Sequence, residues 1–319
     1  MKKFKKRRLL IIAAFSAIFA YIFNKLVVKL AIKNNNLFSS NSNQYSWKHG
    51  NIFYSKYGSG SPILLIHDLD AISSEYEWNK IIGPLAMNHT VYTLDLIGCG
   101  RSDKPMITYT NYLYVQLISD FVKDIVGLHT DVVATGLSTT FVTMACYQNE
   151  NLFNNILYIN SPSILETMNL PKKSLKLEKK LLEMPLIGSF LFNLIVSKRN
   201  IKAIFEKKYF YDKNNISNKL VNIYHEAAHT NDTYSRFLYA SIISSFTNVN
   251  TSKALGSLNN NIYLIFGDHV ENLECRMDEY FEVNSNIETI TIPNTKHLPQ
   301  LENPNDMVTT IEEILTFER

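Results

Sequence analysis

The stretch Thr130–Glu150, TDVVATGLSTTFVTMACYQNE, constrains this chain more than any other. Val132, Val133 and Ala134 make a short apolar run with the composition of a buried parallel strand. Gly136-Leu137-Ser138 breaks the run, and Phe141, Val142, Ala145 and Cys146 resume it at helical spacing. A strand turned sharply into a helix is expected to lift Ser138 to the top of the bend. There it would lie beside a helix N-terminus, whose free N–H groups favour developing negative charge. Serine is a poor nucleophile until a base takes its proton, so the chemistry requires a histidine and an acid from elsewhere. The pentapeptide departs from G-x-S-x-G at its last position, Thr140, and it also suits a plain strand–helix turn capped by Ser138.

The flanks repeat the alternation of strand and helix. Trp47–Tyr57 reads as two short strands turned at His49-Gly50, and Ile63–Ile66, Val91–Leu94, Ile156–Ile159, Ile262–Phe266 and Ile287–Ile292 read as further strands. Glu75–Ala86, Tyr112–Leu128 and Asn305–Phe317 read as helices between or after them. Such alternation predicts a three-layer α/β architecture with a mostly parallel sheet. From Ser163 to Leu258 the strand signals stop. Lys172–Val196 (bent at Pro185 and Gly188), Ile201–Tyr211, Ser217–His229 and Thr233–Ser245 read as helices there. The glycine pair at Gly58-Ser59-Gly60 precedes its strand, so it is no dinucleotide loop.

At the N-terminus six basic residues crowd into the first eight positions, followed by an apolar run, Leu9–Phe23, interrupted only by Ser16. Continued through Ile32 as a helix, the segment is about 36 Å long, enough for a bilayer core. Lys25, Lys29 and Lys33 can snorkel to headgroups. The expectation is an uncleaved signal-anchor in the cell membrane, single-pass. Its basic end would be cytoplasmic and the remaining domain on the outside. The rival, a cleaved signal peptide, lacks a clean A-x-A site after the run. The formal charge is +3, and without those six residues the remainder is at −3, unlike a nucleic-acid binder. Cys99, Cys146 and Cys275 are odd in number and form no C-x-x-C pair, so neither a disulfide framework nor a thiolate metal site is indicated. The organisation expected is an anchor at 1–33, a polar tether at 34–46, a core at 47–162 and 259–319, and a helical cap at 163–258.

Four motifs, in order, resemble the α/β-hydrolase fold family in its helical-cap branch. They are GSPILLIHDLD, with the strand running into the His-Gly loop; YTLDLIGCGRSDKP; the elbow VVATGLSTT; and IPNTKHLPQLENPNDM, with the histidine loop. The resemblance implies that Ser138 is the nucleophile, His297 the base, and the backbone N–H groups of Leu69 and Thr139 the oxyanion hole. The family's acid position, three residues after the strand-ending Gly267, is Val270. Glu271 is the first candidate for that role and Asp268 the second. His67 is expected to support its loop rather than carry protons. Asp68 stands where the family has glycine, and a carboxylate there opposes an oxyanion unless it points away. Serine at the elbow would exclude the branches with an aspartate nucleophile. The implied activity is hydrolysis of an ester, thioester or related acyl bond of a small, apolar substrate, with no cofactor and no metal. A non-hydrolytic binding protein of the same fold is the alternative. A third reading rests on His225-Glu226-Ala227-Ala228-His229, an H-E-x-x-H that on a helix can hold zinc, although the extended pattern fails downstream at Asp232 and Ser235.

Overall fold

One sheet carries the chain in the computed structural model, which describes residues 2–38, 41–127, 129–172 and 175–317. Leu128, the last residue of one predicted helix, and Lys173 and Ser174 near the start of another lie outside those residues, as do Ser39 and Ser40 of the tether. The strands are β1 (Ser42–Trp47), β2 (Gly50–Gly58), β3 (Ser61–Ile66), β4 (His89–Leu94), β5 (Thr130–Thr135), β6 (Phe153–Ile159), β7 (Ile262–Gly267) and β8 (Glu288–Ile292). Their order in the sheet is β1-β2-β4-β3-β5-β6-β7-β8. β1 and β2 pair antiparallel and β2 joins β4 antiparallel, while all the pairings from β4 to β8 are parallel.

The period of two along each strand sorts side chains into two apolar layers. Leu64 and Ile66 of β3, Val132 and Ala134 of β5, and Ile156 and Tyr158 of β6 face one layer. The helices α3 (Asn111–Phe121) and α4 (Ser138–Gln148) cover that layer. The interleaved Ile63, Leu65, Val133, Leu157 and Ile159 face the other, where Trp78, Ile311 and Ile314 close over them. The predicted Glu75–Ala86 helix is broken into a 3₁₀ turn, Glu75–Trp78, and a short α2 (Ile82–Leu85), since Pro84 cannot donate to a continuous ladder.

Between β6 and β7 the chain is helical: α5 (Ile164–Thr167), α6 (Leu175–Glu183), α7 (Ile187–Ile195), α8 (Lys198–Ile204), α9 (Asn218–His229), α10 (Ser235–Ile243) and α11 (Ser252–Leu255). The predicted bent helix is two helices, α6 and α7, parted around Pro185, with Leu186 at φ +64. After β7 come α12 (Leu273–Val283), α13 (Pro299–Glu302) and α14 (Pro304–Phe317).

The N-terminal helix α1 (Lys2–Ala31) holds a stretch, Leu10–Ala31, that is long and apolar enough to cross a membrane, with mean hydropathy 2.0. Its C-terminal part rests on the helical insertion. The Phe23 and Phe190 rings lie 5.3 Å apart. Asn24 donates to the Leu186 carbonyl at 3.1 Å and accepts from the Asn193 amide at 2.9 Å. Lys25 pairs with Asp232 at 2.6 Å. The expected tether is partly structured: β1 begins at Ser42, and Leu37 is buried.

Candidate active site

The bend after β5 is two residues earlier than the sequence suggests. β5 ends at Thr135, Gly136 takes φ +56, and Leu137 is already in the right-handed helical region at φ −62 and ψ −26. A non-glycine residue at Gly136 would be strained, whereas Ser138 is an ordinary first residue of α4. Ser138 is fully buried, and its hydroxyl donates to the His67 carbonyl at 2.6 Å. It is therefore not lifted clear at the top of the bend, and it makes no hydrogen bond to His297. The predicted oxyanion donor Thr139 gives its N–H to the Gly136 carbonyl at 3.2 Å, inside the helix turn.

A nucleophile elbow places the reacting side chain on the corner residue and uses the next N–H as an oxyanion donor. Here the corner is Gly136 and the next N–H belongs to Leu137. That N–H is taken: it donates to Asp68 Oδ1 at 2.8 Å. The other oxygen, Asp68 Oδ2, is 2.8 Å from His297 Nε2. The nearest atoms to a Cβ built on Gly136 would be the Asp68 carboxyl atoms, closer than any real contact allows. The carboxyl group thus fills the space that a corner side chain would occupy. Asp68 does not point away from the oxyanion position, and the exclusion of carboxylate chemistry, drawn from a serine at the elbow, loses its basis.

Four segments of the chain converge to hold this pair. His67 is buried, receives the Leu96 N–H on Nε2 at 3.0 Å and turns Nδ1 to the Asp68 carbonyl at 2.7 Å, so its hydrogen is on Nδ1. Burial lowers its pKa, and it supports the loop as a neutral ring. The Asp68 N–H donates to Glu77 Oε2 at 3.1 Å, and burial pushes the Glu77 carboxyl well above its ordinary range. On the histidine side, Asn160 has φ +48 and ends β6; its amide donates to the Lys296 and His297 carbonyls, each at 2.9 Å. The helical insertion supplies Tyr209, whose carbonyl accepts the His297 N–H at 3.1 Å and whose ring lies 4.8 Å from the imidazole. The pair keeps some access to solvent, with the His297 side chain 21% and the Asp68 side chain 13% exposed.

Neither predicted acid meets His297. Asp268 accepts from His269 Nδ1 at 2.6 Å and from the Thr295 N–H at 3.1 Å. Glu271 is exposed on the turn after β7, with no hydrogen bond to His297 among the described residues. Among the same residues Asp68 is the carboxylate bonded to the imidazole, and it comes from the β3 end of the sheet. Its signal in the sequence was the departure from glycine at that position. Asn160, in the Asn-Ser-Pro that stops β6, gave no signal beyond a strand end.

The H-E-x-x-H residues have other partners. Glu226 accepts from the Asn36 N–H at 2.9 Å, the Asn36 amide at 2.8 Å and the Leu37 N–H at 3.3 Å. His229 has both ring nitrogens engaged, with the His225 carbonyl at 2.6 Å and Asn193 Oδ1 at 2.9 Å. The zinc reading needs those groups free; here Glu226 fastens the segment after α1 to the helical insertion, and His229 ties α9 to α7.

Comparison with known proteins agrees with the fold. The profile of the alpha/beta hydrolase family matches residues 63–310. The chain belongs to the alpha/beta hydrolase family. A 2-hydroxy-6-oxo-6-(2'-aminophenyl)hexa-2,4-dienoic acid hydrolase of Metapseudomonas resinovorans is similar, 37% identical over 71 residues. That match spans 22% of this chain and 24% of the relative. Among solved structures, an epoxide hydrolase superposes with a TM-score of 0.70 at 19% identity, covering 87% of this chain and 99% of its own. A membrane phospholipase A superposes with a TM-score of 0.68 at 15% identity, covering 99% and 98%. At these identities the structural likenesses establish the fold. Within that hydrolase fold, the pair Asp68–His297 lies at the C-terminal ends of the parallel strands, where open α/β sheets bind ligands.

Proposed function

We propose that this chain is a membrane-anchored hydrolase that splits a small, largely apolar molecule with water at the corner between β5 and α4. His297 carries the proton. The observation that supports this reading is the delivery of His297 Nε2 to a carboxylate that is itself bonded to the Leu137 N–H. An imidazole able to take a proton from water, next to an N–H donor for a developing oxyanion, is the minimum equipment for hydrolysis. The finer form drawn from the sequence, an ester or thioester cleaved through a Ser138 acyl-enzyme, requires the Ser138 hydroxyl to leave the His67 carbonyl.

α1 supports the anchoring, with the basic end cytoplasmic and the catalytic domain on the outside as the proposed topology. From Leu10 to Ile22 α1 is exposed except for the half-buried Ala20, and from Phe23 onward it packs on the helical insertion. Thirteen residues span about 20 Å of a hydrocarbon core about 30 Å thick. The insertion therefore has to dip into the bilayer beside α1, and Ile187 and Leu194 of α7, each 46% exposed, suit that position.

The test is turnover by the full-length protein in detergent, on a panel of nitrophenyl esters, thioesters and epoxides. His297→Gln should lower the rate a hundredfold or more, in line with the loss of a general base. Turnover that is indifferent to His297 would sink the proposal. A fluorophosphonate label that disappears in Ser138→Ala would establish the serine route.

A further inference from the structure

We propose that Asp68 is the nucleophile of this enzyme, a carboxylate that has taken over from the β3 loop the position left empty at Gly136. The idea rests on the hydrolase reading above and names its reacting atom and substrate class. Three observations carry it. The corner residue has no side chain, and its left-handed φ of +56 disfavours one. The Asp68 carboxyl group occupies the corner volume. Its two oxygens are differentiated, Oδ1 on the Leu137 N–H and Oδ2 facing His297 Nε2.

That differentiation fits a two-step displacement at saturated carbon. A carboxylate attacking an ester would give a mixed anhydride, less stable than the bond it replaces, whereas attack on a strained cyclic ether gives an ester. An alkyl halide would also give an ester, but its halide leaves without a proton; the leaving oxygen of an epoxide needs one, and His297 stands beside Oδ2 to give it, so the substrate class is an epoxide. In the first step, Oδ2 forms a bond to an epoxide carbon, the ring C–O bond breaks, and the leaving alkoxide takes the proton from the His297 imidazolium. This yields a hydroxyalkyl ester of Asp68 and neutral His297. In the second step, His297 takes a proton from water as the water oxygen bonds to the Asp68 carboxyl carbon. The negative charge then develops on Oδ1, where the Leu137 N–H already donates. Collapse breaks the bond to the alkyl oxygen, which receives the proton from His297. The diol leaves, and proton transfer from the carboxyl to His297 restores the starting pair. Tyr209 and Asn160 hold the His297 loop and are positioning residues in this scheme.

The experiment uses the full-length protein in detergent with styrene oxide and a long-chain alkyl epoxide in ¹⁸O-water, followed by mass spectrometry of the Asp68 peptide. Turnover should leave heavy oxygen in the Asp68 carboxylate, because each cycle exchanges an oxygen there. In His297→Gln the leaving alkoxide must take its proton from water, so the ester should form more slowly, but with no base to activate the second water it should persist, and the same peptide should carry the mass of the epoxide. Asp68→Asn, whose amide oxygen can still accept from the Leu137 N–H, should fold and show at least a hundredfold lower turnover with no adduct. Epoxide turnover with an unlabelled Asp68, or an adduct on Ser138, overturns the proposal. So does a protein that opens neither epoxide. If that protein still hydrolyses esters in a His297-dependent way, the carboxylate nucleophile fails while the hydrolase reading stands; if His297 is dispensable for every substrate, both fail.

Discussion

Alanine at position 136 probes the corner directly. The residue needs a left-handed backbone at φ +56, which costs any side chain about 1–2 kcal/mol. Its Cβ would also fall inside the Asp68 carboxyl group, so that group must move. Moving it breaks the bonds from Leu137 N–H and to His297. Hydrogen bonds to charged groups contribute about 1.5–3 kcal/mol each, so two at the low end add about 3 kcal/mol. Gly136→Ala should therefore destabilise the fold by about 4–5 kcal/mol. Asp68→Gly alone should cost about 3 kcal/mol, because the same two bonds go. In the double variant the collision is absent, leaving only the backbone cost beyond Asp68→Gly, for a total of about 4–5 kcal/mol rather than the additive sum of about 7–8 kcal/mol. The assay is denaturant unfolding of the four proteins in one detergent, read as a double-mutant cycle. Residues that do not meet add to within about 0.5 kcal/mol. Additivity of that quality, or a Gly136→Ala protein as stable as the parent, would refute the placement of Asp68 in the corner.

Three other perturbations have defined outcomes. Glu226→Ala removes the acceptor for Asn36 and Leu37, so it should destabilise the fold by about 2–4 kcal/mol and make the chain between α1 and β1 easier to cut in limited proteolysis; an unchanged cutting rate would argue against the clamp. Asp70 has its pKa raised from 3.8 to about 6, first by burial and then by the charge of Asp68. The folded state holds this proton more tightly, so the contribution to stability is full below pH 3.8 and is lost as pH rises through about 6. Asp70→Asn should accordingly gain on the parent between those pH values, by about 2 kcal/mol at pH 7, and an equal difference in melting behaviour at pH 4 and pH 7 would contradict it. Ile187→Lys puts a charge on the face of α7 beside α1 and should increase extraction of the protein from membranes by alkaline carbonate. Retention identical to the parent would mean that this face stays in water.

The order of elements was legible because it rests on local physics. Apolar runs such as Leu64–Ile66 and Val132–Ala134 can be satisfied only by burial, and the helical spacing of Phe141, Val142, Ala145 and Cys146 fixes α4 before any contact is known. The same holds for the long apolar helix at the N-terminus and for the helical run between β6 and β7. The His297 loop could be found because IPNTKHLPQLENPNDM resembles the histidine loop of the family.

What only the tertiary structure decided is which residue stands on the corner and which acid meets the imidazole. The pentapeptide is compatible with a bend at Gly136 or at Ser138, and local propensity does not separate them. The choice is made where the Asp68 carboxyl group, from a different strand end, fills the corner and leaves room only for glycine. The partner of His297 is likewise not set by nearness: Asp268 and Glu271 follow β7, the neighbour of β8, yet the loop after β8 crosses the strand ends, held by Asn160, and carries the imidazole to Asp68 after β3. The H-E-x-x-H shows the converse, since a pattern with a strong chemical meaning on an isolated helix is given another task by what packs against it. Spacing along a chain specifies which side chains share a face. Only the fold specifies what occupies the space in front of that face.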